Sequence, residues 1–394
     1  MLWRHALILL ILAATTKVQA QTHGWGFVGT QPYRGQVRDV LAAAKAGSTI
    51  PLTAVTIPAS KGKSSYATTI VGGNPFSKSL GISTVTVVVV PVIVTIGATV
   101  FDPTAPDSCI PSGVSALAAF EASPLLNDVA FDGGPGPQHA ATMNGVDVGT
   151  TTYNDAVRRA EFWSHVGGSN YHLAFNVQIA SSFTITAADV KDMGGGVVLT
   201  TQCAALGVLP LTQFEGFLSQ VVLPQYYNPM TFVYFLMTDV VASGATPLSC
   251  VSGCQIGYHG AAGSPVQTFA ISEYDTTAGF WYQPGIRDIS VSAHEWGEWL
   301  DDPLGTNVAP AWGNIGQQSG CQTNWEVGDP LTGTDFPAIT MANGVTYNPQ
   351  ELAFVSWFYA GKTDPSIGAG GMFSANGTFS GPAKGCPPGG TYAN

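Results

Sequence analysis

An α+β fold is what this sequence predicts, with a mixed β-sheet, one helix that carries the chemistry and a helical C-terminal part. Three observations support it. Long β-branched runs read as buried strands, His, Glu and Asp gather in one late helical stretch, and a near-wholly apolar segment lies close to the end of the chain. Of the 394 residues 45% are hydrophobic, enough for a large core, so disorder is excluded. Charged residues make up only 10%, against about 25% in average soluble domains. The formal charge of -11 makes nucleic acid and anionic membrane surfaces poor partners.

The first element is a signal. Arg4 precedes an apolar run from Ala6 to Ala14, and Val18-Gln19-Ala20 supplies small residues for cleavage. The apolar run is too short to span a bilayer of about 30 Å. Residues 1–20 are therefore expected to be a secretory signal peptide. Losing Arg4 and Lys17 with it takes the formal charge from -11 to -13. The remainder, residues 21–394, is expected to be one domain, secreted to an extracellular or periplasmic space and free of the membrane, with a β-rich N-terminal subregion over 21–105.

The run T-V-T-V-V-V-V-P-V-I-V-T-I over residues 84–96 predicts a strand buried on both faces. Residues 151–166 predict an amphipathic helix, and a further helix starts at Leu211. Strands follow from Thr231 and from Val266. The next helix starts at Asp288 or Ser290, either of which can cap it, and Pro303 ends it by Asp302. Residues 350–361 predict a final apolar helix closed by Gly361.

Six cysteines, Cys109, Cys203, Cys250, Cys254, Cys321 and Cys386, form an even set in a chain expected to leave the cytoplasm, so disulfides are favoured over metal ligation. Sequence allows about 15 pairings of six and selects none. Cys250 and Cys254 are close enough for a local bridge.

The stretch S-A-H-E-W-G-E-W-L-D-D-P, residues 292–303, resembles the zinc-hydrolase signature H-E-x-x-H with Glu298 in place of the second histidine. On a helix His294 and Glu298 share a face, and Glu295 projects beside them. That arrangement sets two zinc ligands and a general base around one ion, so the fold expected is zincin-like, with Glu295 as base. N-W-E-V-G-D-P supplies a third ligand in Glu326 and, in Asp329, an alternative ligand or a partner for the free nitrogen of His294. Gly297, costly inside a helix, implies a close neighbour. The bland alternative is a solvated helix face that happens to carry acids. Against it, Glu295, Glu298, Asp301, Asp302, Glu326 and Asp329 gather with no Lys or Arg between Arg287 and Lys362. Zinc suits His294, whereas calcium would suit the carboxylates and make the site structural.

These motifs, together with F-V-Y-F-L-M-T-D-V-V after Thr231 and C-V-S-G-C-Q-I-G-Y-H-G from Cys250, occur in the order found in the Exordium-like (phosphate-induced) family. The sequence resembles that family, and uncharacterised secreted bacterial proteins sharing H-E-x-x-E-x-x-x-D-P, over its C-terminal half. The resemblance implies that His294, Glu295, Glu298, Asp302, Glu326 and Asp329 belong together, and it adds His259, whose ordinary role would be a hydrogen-bonded structural histidine. Pro330 stands where the family has a nearby cysteine, which implies a different disulfide, through Cys321. Cell-wall association is the family's setting, so the partner expected is a peptide or a cell-wall-associated substrate.

Two function classes follow. One is a secreted metallopeptidase, with substrate lying along the strand near residues 266–272. The other is a wall or surface binding protein with a structural metal, or a silent relative of a protease. His139, His165 and His172 have no partner at ligand spacing, and no nucleophile elbow, P-loop or dinucleotide fingerprint is present. Asn376-Gly377-Thr378 is a glycosylation sequon.

Overall fold

The computed structural model describes residues 23–60, 62–359 and 373–386. The expected signal, residues 1–20, lies outside them, as does Gly361. Among the described residues no helix is long and apolar enough to cross a membrane.

The chain folds as a mixed α/β protein around an eleven-stranded sheet. Its spine is the strand Ile82–Ile96, paired in parallel with Thr231–Thr238 on one side and with His172–Ile179 and then Phe183–Ile185 on the other. Pro91 cannot donate to a ladder, and it falls where one neighbour ends at Val89↔Ile179 and the next begins at Val92↔Phe183. Strand Thr231–Thr238 also pairs in parallel with Gln267–Tyr274, which is antiparallel to Cys254–Ala262. That strand takes Gly26–Gln31 alongside it in parallel.

Parallel strands need cover on both faces, and side-chain alternation supplies two cores. Val85, Val87 and Val89 join Phe232, Tyr234 and Leu236 in one. Val90, Val92 and Val94 join Val233, Phe235 and Met237 in the other, under the helix Leu211–Phe217 and its π-helical continuation Leu218–Val222. The first core lies beneath the helix Ser290–Asp301. Trp299 of that helix stacks on Phe232 with ring centroids 3.7 Å apart, and Trp296 meets Phe232, Tyr234 and Phe120 edge-on.

All residues of the Ser290–Asp301 helix are buried, so the solvated-face reading of its acids fails. It ends at Asp301 ahead of Pro303, as expected, but its N-cap is Ile289, which makes no side-chain cap bond. Gly297 has the expected close neighbour: a Cβ there would lie 2.4 Å from Leu352 Cδ1.

Three expectations are corrected. The helix expected over 151–166 is two helices, Tyr153–Glu161 and Trp163–Val166, and the first is buried throughout rather than amphipathic. Its polar groups are paired inside: Arg158 reaches Asp301 at 2.6 Å and Glu161 at 3.0 Å, and Asp155 accepts from Thr151 Oγ1 and Leu173 N. The C-terminal part is less helical than expected. It holds the antiparallel pair Val308–Ile315 and Gln318–Asn324, and among the described residues its α-helix is Val355–Tyr359. Residues 350–354 are held by distant partners instead, as when Ala353 N donates to Val327 O. Finally, the strand expected to edge a cleft, Gln267–Tyr274, is an interior strand, buried along its length and paired on both sides.

All six cysteines are paired, as Cys109–Cys203, Cys250–Cys254 and Cys321–Cys386.

Gly297→Ala is expected to destabilise the protein by about 1–3 kcal/mol despite the better helix propensity of alanine, through overpacking against Leu352. Adding Leu352→Ala should make the two changes favourably non-additive in a denaturant double-mutant cycle. Arg158→Met, which leaves Glu161 and Asp301 buried without their cation, should cost about 3–5 kcal/mol by urea denaturation. Adding Glu161→Gln and Asp301→Asn should recover most of that loss.

Candidate metal centre

His294 and Glu298 project from one side of the Ser290–Asp301 helix towards the strand Cys254–Ala262 and the loop at 326–329, and His259 meets them from that strand. His294, Glu298 and Asp329 bring one donor atom each to within 4.8 Å of one another, and His259, Glu295 and Glu298 form a second such group sharing Glu298. His259, His294 and Glu295 are fully buried, and Glu298 and Glu326 are 1% exposed.

Hydrogen bonds fix both imidazoles. Gln350 Nε2 donates to the Gly328 carbonyl at 2.8 Å, so its Oε1 is left to accept from His294 Nδ1 at 3.1 Å. His294 Nδ1 therefore carries a proton, and in the neutral ring Nε2 presents a lone pair. Similarly, His259 Nε2 donates to the Asp302 carbonyl at 3.1 Å, which frees Nδ1. Both free nitrogens are buried without a hydrogen-bond partner, as are both oxygens of Glu295 and Oε2 of Glu326.

What these nitrogens face is carboxylate. His294 Nε2 lies 2.8 Å from Glu298 Oε1, without the alignment of a hydrogen bond, and 3.5 Å from Asp329 Oδ1. His259 Nδ1 lies 3.4 Å from Glu295 Oε2 and 3.5 Å from Glu298 Oε2. Lone pairs facing carboxylates at such distances repel unless a proton or a cation sits between them. Zinc bonds of about 2.0–2.1 Å in a tetrahedron would set their ligand atoms about 3.4 Å apart, so the donors present fit zinc.

The electrostatics follow from the same crowding. Burial pushes the His294 imidazolium down, but the Glu298 charge and contacts with Asp329 and Glu298 override it and leave it well above its ordinary value. His259 is raised in the same way, burial being overcome first by Glu326. Glu298 is driven down to about 2, burial being outweighed by His294 and His259. Burial raises Glu295 to about 8, and burial with the Glu298 charge holds Glu326 well above the carboxylate range.

Two glycines make room. A Cβ at Gly328 would lie 2.5 Å from the His294 ring, and one at Gly257 would lie 2.6 Å from Glu295 Oε1. Gly328 N and Asp329 N both donate to Glu298 Oε1, at 3.1 and 3.2 Å.

Glu326 lies on the other side of His259, with Oε2 3.7 Å from Nε2 and Oε1 accepting from Thr30 Oγ1 at 2.8 Å. It is not in either close donor group. Asp302 supplies its carbonyl rather than its carboxylate, whose oxygens accept from Thr306 N and Asn307 N at 2.9 Å. Asp301 is taken by Arg158, which arrives from a distant segment. Among the described residues the other histidines named from the sequence lie elsewhere, His172 on Asp155, His139 on Asp132 and His165 edge-on to Phe76.

A cleft of about 630 Å³ opens beside Glu326 and Asp329, walled by the strand Gly26–Gln31 and by Gln317, Gln318, Gln322 and Asn324. Gln318 and Gln322 donate to Asp329 Oδ2 at 2.8 and 3.0 Å, and Gln317 donates to Oδ1. Sequence reasoning missed Gln350 and these three glutamines. The clustering of Q-Q-S-G-C-Q just ahead of N-W-E-V-G-D was the one signal available. His259, read as an ordinary structural histidine, is central to the cluster.

Comparison of the chain with known protein families, with curated proteins and with solved structures finds no match.

Gln350→Ala, which removes the acceptor that sets the His294 tautomer, is expected to weaken zinc binding about 10- to 100-fold in a chelator competition. Unchanged affinity would show that His294 is not a ligand.

Proposed function

We propose that the protein is a metal-dependent hydrolase, exported from the cytoplasm, that holds zinc with His294, Glu298 and Asp329, the last of which lines the polar cleft, and acts on a peptide-like substrate. The observation that carries this reading is the pair of buried ring nitrogens, each facing carboxylates and without a hydrogen-bond partner. Nitrogen donors favour zinc over calcium. The zincin-like fold and the kinship with Exordium-like proteins belong to the same proposal, and the H-E-x-x-E helix supports both. Pairing of all six cysteines is compatible with an oxidising compartment.

A zinc ion at this position would supply Lewis acidity towards a substrate carbonyl. The chain's own groups divide the other tasks. A base must reach substrate, and Glu326 lines the cleft whereas Glu295 does not. Access therefore favours Glu326 as proton acceptor and Glu295 as charge partner of His259, whereas the motif led to Glu295 as base and Glu326 as a zinc ligand. Thr30 holds Glu326 Oε1 and leaves Oε2 to take the proton. Burial and the neighbouring Glu298 charge raise that carboxyl above its ordinary range, which makes its ionised form the stronger base.

The cleft wall favours an amide-bearing substrate. Strand Gly26–Gln31 is paired with Cys254–Ala262, and side-chain amides bond its backbone at two alternate residues, Gln283 at Gly26 and Gln317 at Val28. A peptide backbone offers the same groups. A second reading, a structural zinc site in a wall-binding protein, is favoured by the complete burial of both histidines.

Zinc content and cleavage of a broad peptide library, measured on the wild type and two variants, test the proposal. Glu326→Gln should keep zinc and lose about 10²–10⁴-fold in rate. Loss of activity in Glu295→Gln with retention in Glu326→Gln would return the base to the motif position. Stoichiometric zinc with no cleavage by the wild type would leave the structural reading.

A further inference from the structure

We infer that a second cation site, of calcium type, lies at the ends of the strands Thr231–Thr238 and Gln267–Tyr274, formed by Asp239, Glu273 and Asp275. Each of these residues contributes a carboxylate oxygen to a group whose atoms lie within 4.8 Å of one another, and all three are buried. Glu273 supplies the decisive observation. It is fully buried, and neither of its carboxylate oxygens has a hydrogen-bond partner. An ionised carboxylate left so would cost several kcal/mol, and interiors rarely hold one without a cation.

The other two carboxylates are held from outside the group. Asp239 accepts from Thr276 N and Thr276 Oγ1, both at 2.7 Å. Asp275 accepts from Thr277 N at 3.0 Å and from Trp281 Nε1 at 2.5 Å. A fourth acid, Asp107, is tied to the same Thr276 hydroxyl at 3.0 Å. Among the described residues no Lys, Arg or His forms an ion pair with any of these four.

The chemistry of the donors selects the ion. The converging atoms are all carboxylate oxygens with no nitrogen or sulfur among them, the donor type that calcium takes. The site is also separate from the histidine centre. Ser272 turns towards the Ser290–Asp301 helix, with its Oγ 3.1 Å from Ser292 Oγ, and strand alternation sends Glu273 to the opposite face of the sheet. A cation here would clamp the ends of two central strands. It would also brace the approach to the helix, because Asp288 N donates to Asp275 O at 2.9 Å just ahead of Ser290.

The test uses the full chain, stripped with chelator and titrated with calcium. Calcium at about a hundredfold excess over its Kd should raise Tm by roughly 5 °C. Terbium should give emission sensitised by an indole, Trp281 being bonded to Asp275. Glu273→Gln and Asp239→Asn, which keep side-chain shape and remove charge, should each lose both responses and still bind zinc. His294→Ala should keep both. A wild type without a calcium response, variants responding as the wild type does, or a response lost in His294→Ala would each overturn the inference. The wild-type and His294→Ala measurements decide the matter even if the carboxamide variants fail to fold.

Discussion

Buried charge is the constraint on which the rest of this structure depends. His259, His294, Glu295, Glu298, Glu326 and Asp329 meet as buried side chains, the last two at the edge of the cleft, and no Lys or Arg forms an ion pair with them among the described residues. A low-dielectric interior accepts such a group only with compensating charge. The protein handles two comparable problems differently. Asp301 receives Arg158 from another helix and Glu161 receives it from its own, while the histidine cluster is built from donors and acceptors whose leftover valences converge. The contrast is informative, because the chain has a structural solution for buried acids and does not use it at the cluster.

The surrounding fold serves that convergence. Two aromatic-rich cores fix the sheet on both faces, and the stack of Trp299 on Phe232 locks the rotation of the helix. With that rotation set, His294 and Glu298 can face only the strand that bears His259. Gln350 and the Asp302 carbonyl then choose the proton position on each ring, so ring orientation and tautomer are settled by groups that never touch the proposed ion.

Much of this was legible in the residues. The Val-rich run, the strand from Thr231, the helix end at Pro303 and the tight environment of Gly297 follow from local chemistry, and the structure has each of them. So does the pairing of His294 with Glu298, which only helical spacing is needed to predict. What stayed hidden was long-range. No local pattern says that Arg158 will reach Asp301, that the strand from Gln267 will be enclosed by neighbours, or that residues 350–354 will bond to distant backbone instead of coiling. Asp329 beside His294, with Glu326 displaced towards the cleft, depends on how one short loop turns over the helix end. Glu273 was in plain view inside a strand motif, but its isolation appears only when its surroundings are known.

The separation of the two cleft walls along the chain has a consequence for biosynthesis. Thr30 holds Glu326 across 296 positions, and Val28 holds Gln317 across 289. High contact order of this kind slows folding, since loop closure must precede any reward from the contact. A ribosome-bound chain cannot own a working cleft until residue 326 has emerged and doubled back to the first strand. The two walls of the cleft can therefore meet only late in synthesis, once the strand–loop segment around residue 326 has been made.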